Sequence, residues 1–491
     1  MKQVIKHWLP IISLLIKGYL LPAQEMAVSE VENVSPKVEH YGVAGQIGSD
    51  VYVYKSGFDY FEVSKFGLDK MNRIWNREIE LPGKTPEAEE VFVVGDQILV
   101  YYTCKQSGKT LFCSGLFDKD FNILQEVTVL DEYDRRFGAK GYEYRVKSNA
   151  SRTIFVILKL QIKNEDFNSF SCFALNRDQK KIAGPFDEMD NGWYFYDFVV
   201  SQEGNAYIVL KEEPSNLFDD AVGTRALKVF HFNPVTETDH SLLVDNLPYE
   251  LNNYKIKQDE NNQNLVIAGF YEASKSKSDL GYFMLKFSTD SLIETVRVFQ
   301  NLRPLIPAGN FRASRLMENT HLKSLTATGL YLRQDGGALV AGELFTKVRR
   351  NTATPNLSVG SAQSMAVNTV SYYYEDMAFL SLDNEGKFLW ADAVPKSQIT
   401  DNDDGYYSSY GTYNSGRHLT FFFNEKANVQ SQVSKVRFDH TGHLVLEGML
   451  HSGIYNLILA NRFSTQISKK DVIIPGFDQR NNFVLLRARF E

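Results

Sequence analysis

WYFYDFVVSQEGNAYIVLKEEPSNLFDDAVGTRALKVFHFNPVTETDHSLLVD, from Trp193 to Asp245, holds the pattern that decides the fold. It reads as four strands, near 194–201, 206–211, 226–232 and 241–245. The first two are joined by Gln202-Glu203-Gly204-Asn205, and Asn233-Pro234 opens the last turn. Gly and Asn supply the positive φ that tight hairpins need. The second strand is apolar from Ala206 to Leu210 without alternation, as are 153–158 and 419–423. A strand reads that way when both of its faces are covered.

Outward from this unit the rhythm repeats. The first-turn signal returns at 259–263, 334–337 and 414–417, and the second at 118–120, 176–178, 383–386 and 439–442. The units divide near 39–82, 87–131, 140–188, 193–246, 250–301, 320–394, 405–450 and 455–491. A period of roughly 45 to 55 residues is that of four-stranded propeller blades. The expected fold is therefore all-β, a closed β-propeller of four-stranded antiparallel blades filling 25–491. Eight blades are preferred over seven. The last unit reads as one strand short, and 34–40 is the segment expected to supply its outer strand. An open solenoid and two stacked sheet domains are the alternatives.

In such a blade, first-to-second and third-to-fourth turns share one face of the disc. Second-to-third and blade-to-blade connections share the other. The long connections 131–140, 184–192, 211–225, 273–279, 301–319, 346–371 and 395–405 all fall on the second face, where binding groups are expected. The stretch 346–371, rich in Ser, Thr, Asn and Ala, reads as a mobile insertion.

The start of the chain reads as an export signal, residues 1–24. Lys2, Lys6 and His7 precede an apolar run from Trp8 to Ile16, and Ala23 closes the segment. That run is short of the roughly 20 residues that span a bilayer. Periplasm, cell surface and medium are all compatible destinations. Cleavage would move the formal charge from −7 to about −10, which argues against nucleic acid as a partner. Cys104 and Cys113 are placed either to pair across a hairpin or to stay as buried thiols. With Cys172 they do not form a zinc site.

Three groups of residues carry candidate chemistry. Arg303, Arg312 and Arg315 lie on one long connection, where guanidiniums fork onto carboxylates or sulfates. Asp401-Asn402-Asp403-Asp404-Gly405 has the alternating carboxylates of a calcium loop, although residue 400 is Thr and no Glu stands at the twelfth position. A solvated turn is the other reading, and acid–base work by Asp401, Asp403 or Asp404 a third. Tyr406 and Tyr407 add aromatic faces suited to sugars or peptides. Trp193 and Trp390 read as core. No nucleophile elbow, zinc helix or phosphate loop is present, and no cofactor motif.

The segment 372–410 combines Tyr373-Tyr374-Glu375-Asp376, Asp383-Asn384-Glu385-Gly386-Lys387, Val394-Pro395-Lys396-Ser397-Gln398 and Asn402-Asp403-Asp404-Gly405 with Ser408-Ser409. It resembles a recurring segment of uncharacterised, exported, propeller-like proteins of the Bacteroidota, as does the Pro22-Ala23-Gln24 ending of the leader. The resemblance implies source and compartment and brings no activity. Lys396 and Gln398 join the candidate ligand residues. The leading functional expectation is a non-enzymatic module that binds a protein or polymeric ligand, glycan included, on its long-connection face. The alternatives are a polysaccharide hydrolase or lyase using carboxylates near 401–404, and a structural subunit of an envelope assembly.

Overall fold

The computed structural model describes residues 25–35, 37–134, 141–163, 166–189, 192–212, 225–272, 280–306, 324–354, 365–439 and 441–490. These form eight antiparallel sheets built on four strands each, two of them with a short fifth strand, and in all but the last the four run in chain order from one edge to the other. Blades 1 to 7 occupy 40–78, 84–134, 142–189, 193–244, 251–301, 324–401 and 410–451. Blade 8 takes 457–489 and completes itself with Glu25–Val28, which pairs antiparallel with Phe483–Arg489. The fold is an eight-bladed β-propeller.

Burial follows strand position. The third strand of blade 5, Leu280–Ser288, is buried at eight of nine residues, its apolar run interrupted by Lys286, which donates to the Gly336 and Asn384 carbonyls. The fourth strand of blade 1, Asn72–Glu78, is mostly exposed. First strands of blades 1 to 6 touch in succession, so first strands line the axis and fourth strands form the rim. Eight hydrophobic clusters, one at each junction between neighbouring blades, form the core among the described residues. The junction of blades 8 and 1 packs Val51, Val53 and Phe66 on Ile473, Phe477 and Leu485, which closes the ring. Radial repetition leaves only the short outer edge of each blade's rim strand open to other chains.

Closure works as expected in kind but not in place. The closing strand is Glu25–Val28, not 34–40, and His40 already begins blade 1. A polar seam fixes it. The fully buried side chain of Arg487 pairs with Glu25 and donates to the Leu68 carbonyl of blade 1 at 3.0 Å. Asp471 binds the neighbouring Arg489 at 2.9 Å. The link onward is held where Lys55 meets buried Glu32 at 2.5 Å.

The recurrent turn residues act as the sequence suggests. Asp383 accepts from the backbone N–H groups of Glu385 and Lys387, and Asp439 from those of Thr441 and His443, all at 2.8–2.9 Å. Cys104, Cys113 and Cys172 are buried thiols. The stretch 346–371 corrects the expectation of a loose insertion. Blade 6 continues there as a hairpin of strands Ala338–Thr354 and Met365–Leu382, paired out to Thr354 and Met365. Among the described residues, no helix is long and apolar enough to cross a membrane.

Candidate functional site

The expected site residues do not converge on one place. Arg303 stands exposed in a short 3-10 turn, Arg303–Leu305, after blade 5. Arg312 and Arg315 lie outside the described residues. The rest sit on the connection from blade 6 to blade 7. Its strand Gln398–Asp401 pairs with the base of the blade 6 hairpin, Ser371 opposite Asp401 and Tyr374 opposite Gln398. The hairpin and this strand make a three-stranded platform on the long-connection face.

Lys396 and Gln398 are interior rather than ligand-facing. Nζ of Lys396 lies 2.7 Å from Oε1 of Glu343, with both side chains fully buried. It also donates to Oε1 of Gln398 at 2.8 Å. The Gln398 amide donates to the Asn424 carbonyl at 2.6 Å and accepts from the Ser409 N–H at 2.7 Å, while the Ser409 hydroxyl donates to Glu343. Burial pulls the Lys396 ammonium below its usual range, and Glu343 opposes that pull. Asn424 in turn donates to the Leu459 carbonyl at 2.7 Å. The knot thus ties blades 6, 7 and 8 together, and of the residues behind the resemblance Lys396, Gln398 and Ser409 serve it.

The acids of 401–404 are each committed locally. Asp401 accepts from the Ser371 hydroxyl at 2.6 Å, Asp403 from the Gly405 N–H at 2.9 Å, and Asp404 from the Tyr372 hydroxyl at 2.5 Å. Among the described residues no three His, Cys, Asp or Glu side chains group as metal ligands, and this run shows no calcium cage. Tyr406 and Tyr407 turn inward. Tyr406 stacks on Phe463 at 4.5 Å, and both meet Phe477 edge-on at the junction of blades 8 and 1.

A site the sequence did not announce lies at the axis. The first strands of blades 2, 3 and 4, Lys84–Val94, Tyr142–Ser148 and Trp193–Val200, enclose a cavity of about 500 Å³. Glu89, Glu90, Glu143, Arg145, Lys147, Asp197 and Lys211 line it, with Phe195, Tyr196 and Phe198. Two bulges shape it. Ala88 pairs with Tyr102 and Glu90 with Tyr101, leaving Glu89 extra. Phe195 pairs with Leu210 and Asp197 with Val209, leaving Tyr196 extra. A bulge re-aims the side chains around it. Here it brings the consecutive residues Glu89 and Glu90 to the same cavity. Blades 1, 5 and 6 carry the same irregularity in their first strands, so the device belongs to the repeat.

Pairing inside the cavity is incomplete. Glu143 meets Arg145 at 2.5 Å, and Lys147 meets Asp197 at 2.8 Å. Glu89 accepts only from the Thr103 hydroxyl, at 3.3 Å, and Glu90 has no hydrogen bond or ion pair among the described residues. Burial, reinforced by the charge of Glu87, pushes the Glu89 carboxyl up to about 7. Burial does the same to Glu90, to about 7, against the pull of Arg145 and Lys147. Elsewhere His231 and His240 face each other across blade 4 with Nδ1 atoms 3.3 Å apart, and burial brings His231 down to about 4.

No protein-family model matches the chain, and no curated protein matches it. Among solved structures it is similar to Sqt1 of Chaetomium thermophilum bound to the N-terminus of a ribosomal protein. That likeness has a TM-score of 0.43 and 10% identity, covering 95% of this chain and 97% of the other. It is similar also to the polysaccharide lyase Uly1, with TM-score 0.42, 10% identity, and 93% and 92% covered. A third is the β-propeller domain of Nup133 from Vanderwaltozyma polyspora, with TM-score 0.40, 10% identity, and 96% and 99% covered. None of these proteins' activities is carried over to this chain.

Proposed function

We propose that the chain is an exported interaction module that binds a protein or polymeric ligand on its long-connection face. The observation that carries this reading is the blade 6 platform. Strands of 17 and 18 residues, Ala338–Thr354 and Met365–Leu382, run far past the blade, and the strand 398–401 braces their base. Second strands elsewhere in the ring are 6 to 10 residues long. A scaffold that spends ordered backbone on such an arm presents it to something. The basic, apolar start of residues 1–24 supports export to periplasm, cell surface or medium. Arg303, with Arg312 and Arg315 following on the same connection, supplies cations to the same face.

Asp401, Asp403 and Asp404, the carboxylates of the hydrolase or lyase reading, each accept a hydrogen bond from a neighbouring group, and none of them lines the axial cavity. A glycan array and a pull-down with residues 25–491 test the proposal. Replacing 352–367 by a two-residue turn keeps the Asn351–Asn368 pair and removes the arm's tip. We expect it to abolish capture of the ligand while the melting temperature stays put. Reversing Arg303, Arg312 and Arg315 together to Glu weakens an acidic ligand at least tenfold. Unchanged affinity in both variants overturns the assignment of that face.

A further inference from the structure

The axial cavity holds two carboxyl groups, Glu89 and Glu90, that form no ion pair among the described residues, although cations line the same space. Four of the other charged groups lining the cavity are engaged with one another. Arg145 is held by Glu143, and Lys147 by Asp197 and by the Phe198 carbonyl at 2.5 Å. Lys211, from the second strand of blade 4, lines the cavity with no ion pair among the described residues, and Glu87 adds repulsion from the same strand as the two acids. Partly buried carboxylates without partners are costly. The chain nevertheless places two of them side by side, beside the aromatic wall of Phe195 and Tyr196, in a space of about 500 Å³.

We propose that this cavity receives a single cationic group, an ammonium or guanidinium on a slim chain, between the carboxylates of Glu89 and Glu90. The stem packs on Phe195 and Tyr196, and the charged head supplies the ion pair that the two carboxyls lack among the described residues. Two sources offer this chemistry: a free polyamine, or a Lys or Arg side chain of an extended peptide. Both must displace protons. The carboxyls titrate near pH 7 in the empty cavity, so the cation binds the ionised form and releases what they carry. This site is separate from the loop-face reading above, and either stands if the other fails.

The test is calorimetric titration of residues 25–491 with spermidine in one arm and the tripeptide Gly-Arg-Gly in the other, from pH 6 to pH 8. Affinity rises between pH 6 and pH 7 by about fivefold if one carboxyl must ionise, and about thirtyfold if both must, then flattens above pH 8. Heats in two buffers of different ionisation enthalpy show protons released on binding. Glu89→Gln with Glu90→Gln abolishes binding and its pH dependence, while Lys211→Ala, which removes a like charge, tightens it. The loop variant Arg303→Glu/Arg312→Glu/Arg315→Glu leaves it unchanged. Tighter binding of the tripeptide than of spermidine assigns the site to a peptide, and the reverse order to a polyamine. Absence of binding at millimolar probe, pH-independent binding, or full binding to the double Gln variant overturns the proposal.

Discussion

Where blades 6, 7 and 8 meet, the buried ammonium of Lys396 touches Glu343 and Gln398, and every neighbour in that knot is bonded to another. At the axis, between blades 2, 3 and 4, Glu89 and Glu90 are half-buried, yet among the described residues they share one weak acceptor contact between them. Both regions bury charge in the same scaffold, and only one neutralises it. Burial of a charged residue therefore says little about function until its partners are counted. A satisfied network fixes the relative position of elements, whereas an unsatisfied group is a cost the fold carries for another reason.

The largest effect should come from breaking the knot. Glu343→Gln leaves the Lys396 ammonium buried without its carboxylate, and removing one partner of such a pair costs about 3–5 kcal/mol. Replacing both partners by apolar residues, Glu343→Leu with Lys396→Met, should recover all but about 2 kcal/mol of that loss in urea unfolding. A double variant as unstable as the single one would show that the knot's value lies in Ser409 and Gln398 rather than in the ion pair.

The axial acids should respond with the opposite sign. Their folded carboxyls titrate near 7, against an ordinary value of 4.5, so between those pH values the folded chain holds more protons than the unfolded one. Stability contributed by these groups is complete below about pH 4.5 and is lost as pH rises through 7. The substitutions Glu89→Gln and Glu90→Gln remove the loss. The double variant should match the parent near pH 4 and exceed it by about 1–3 kcal/mol at pH 8. Equal stability at both pH values would mean that the carboxyls are solvated or paired in solution, which would erase the contrast.

How much of this was legible in the sequence depended on how local the signal was. Blade boundaries came out within a few residues, because Asp, Asn and Gly must stand at tight turns whatever surrounds them. The third-to-fourth turns at Asp383 and Asp439 are of that kind. The closing strand was misplaced because Glu25–Val28 has one paired edge and only four residues, too few for a period to show. The blade 6 arm read as an insertion because its tip carries no apolar alternation, the mark of a strand with a core to cover. Lys396 and Gln398 read as ligand groups because their partners, Glu343 for the one and Asn424 for the other, lie in other strands. Glu89 and Glu90 were passed over because a bulge breaks the two-residue period, so neighbours in sequence share one cavity. A signal was there in Glu87-Ala88-Glu89-Glu90, a cluster of acids inside a strand that turns apolar from Val91 onward.

The smallest effect tests the rim of the knot, with a glycine elsewhere as its reference. Gly405 has φ +67°, and a Cβ there would fall 2.5 Å from Cε2 of Tyr374, whose ring lies 5.6 Å from the Lys396 ammonium. Gly416, in a tight turn on the opposite face, has φ +82° and nothing within 4 Å of the same position. Alanine at either site meets the backbone penalty of a positive φ, about 1 kcal/mol. At Gly405 it must also move an aromatic ring that Arg462 contacts at 3.5 Å through its hydroxyl. Gly405→Ala should therefore lose about 1 kcal/mol more than Gly416→Ala in parallel thermal melts. Equal losses would place Tyr374 outside the packed part of the knot, and the blade 6–8 region would then be rigid only around its ion pair.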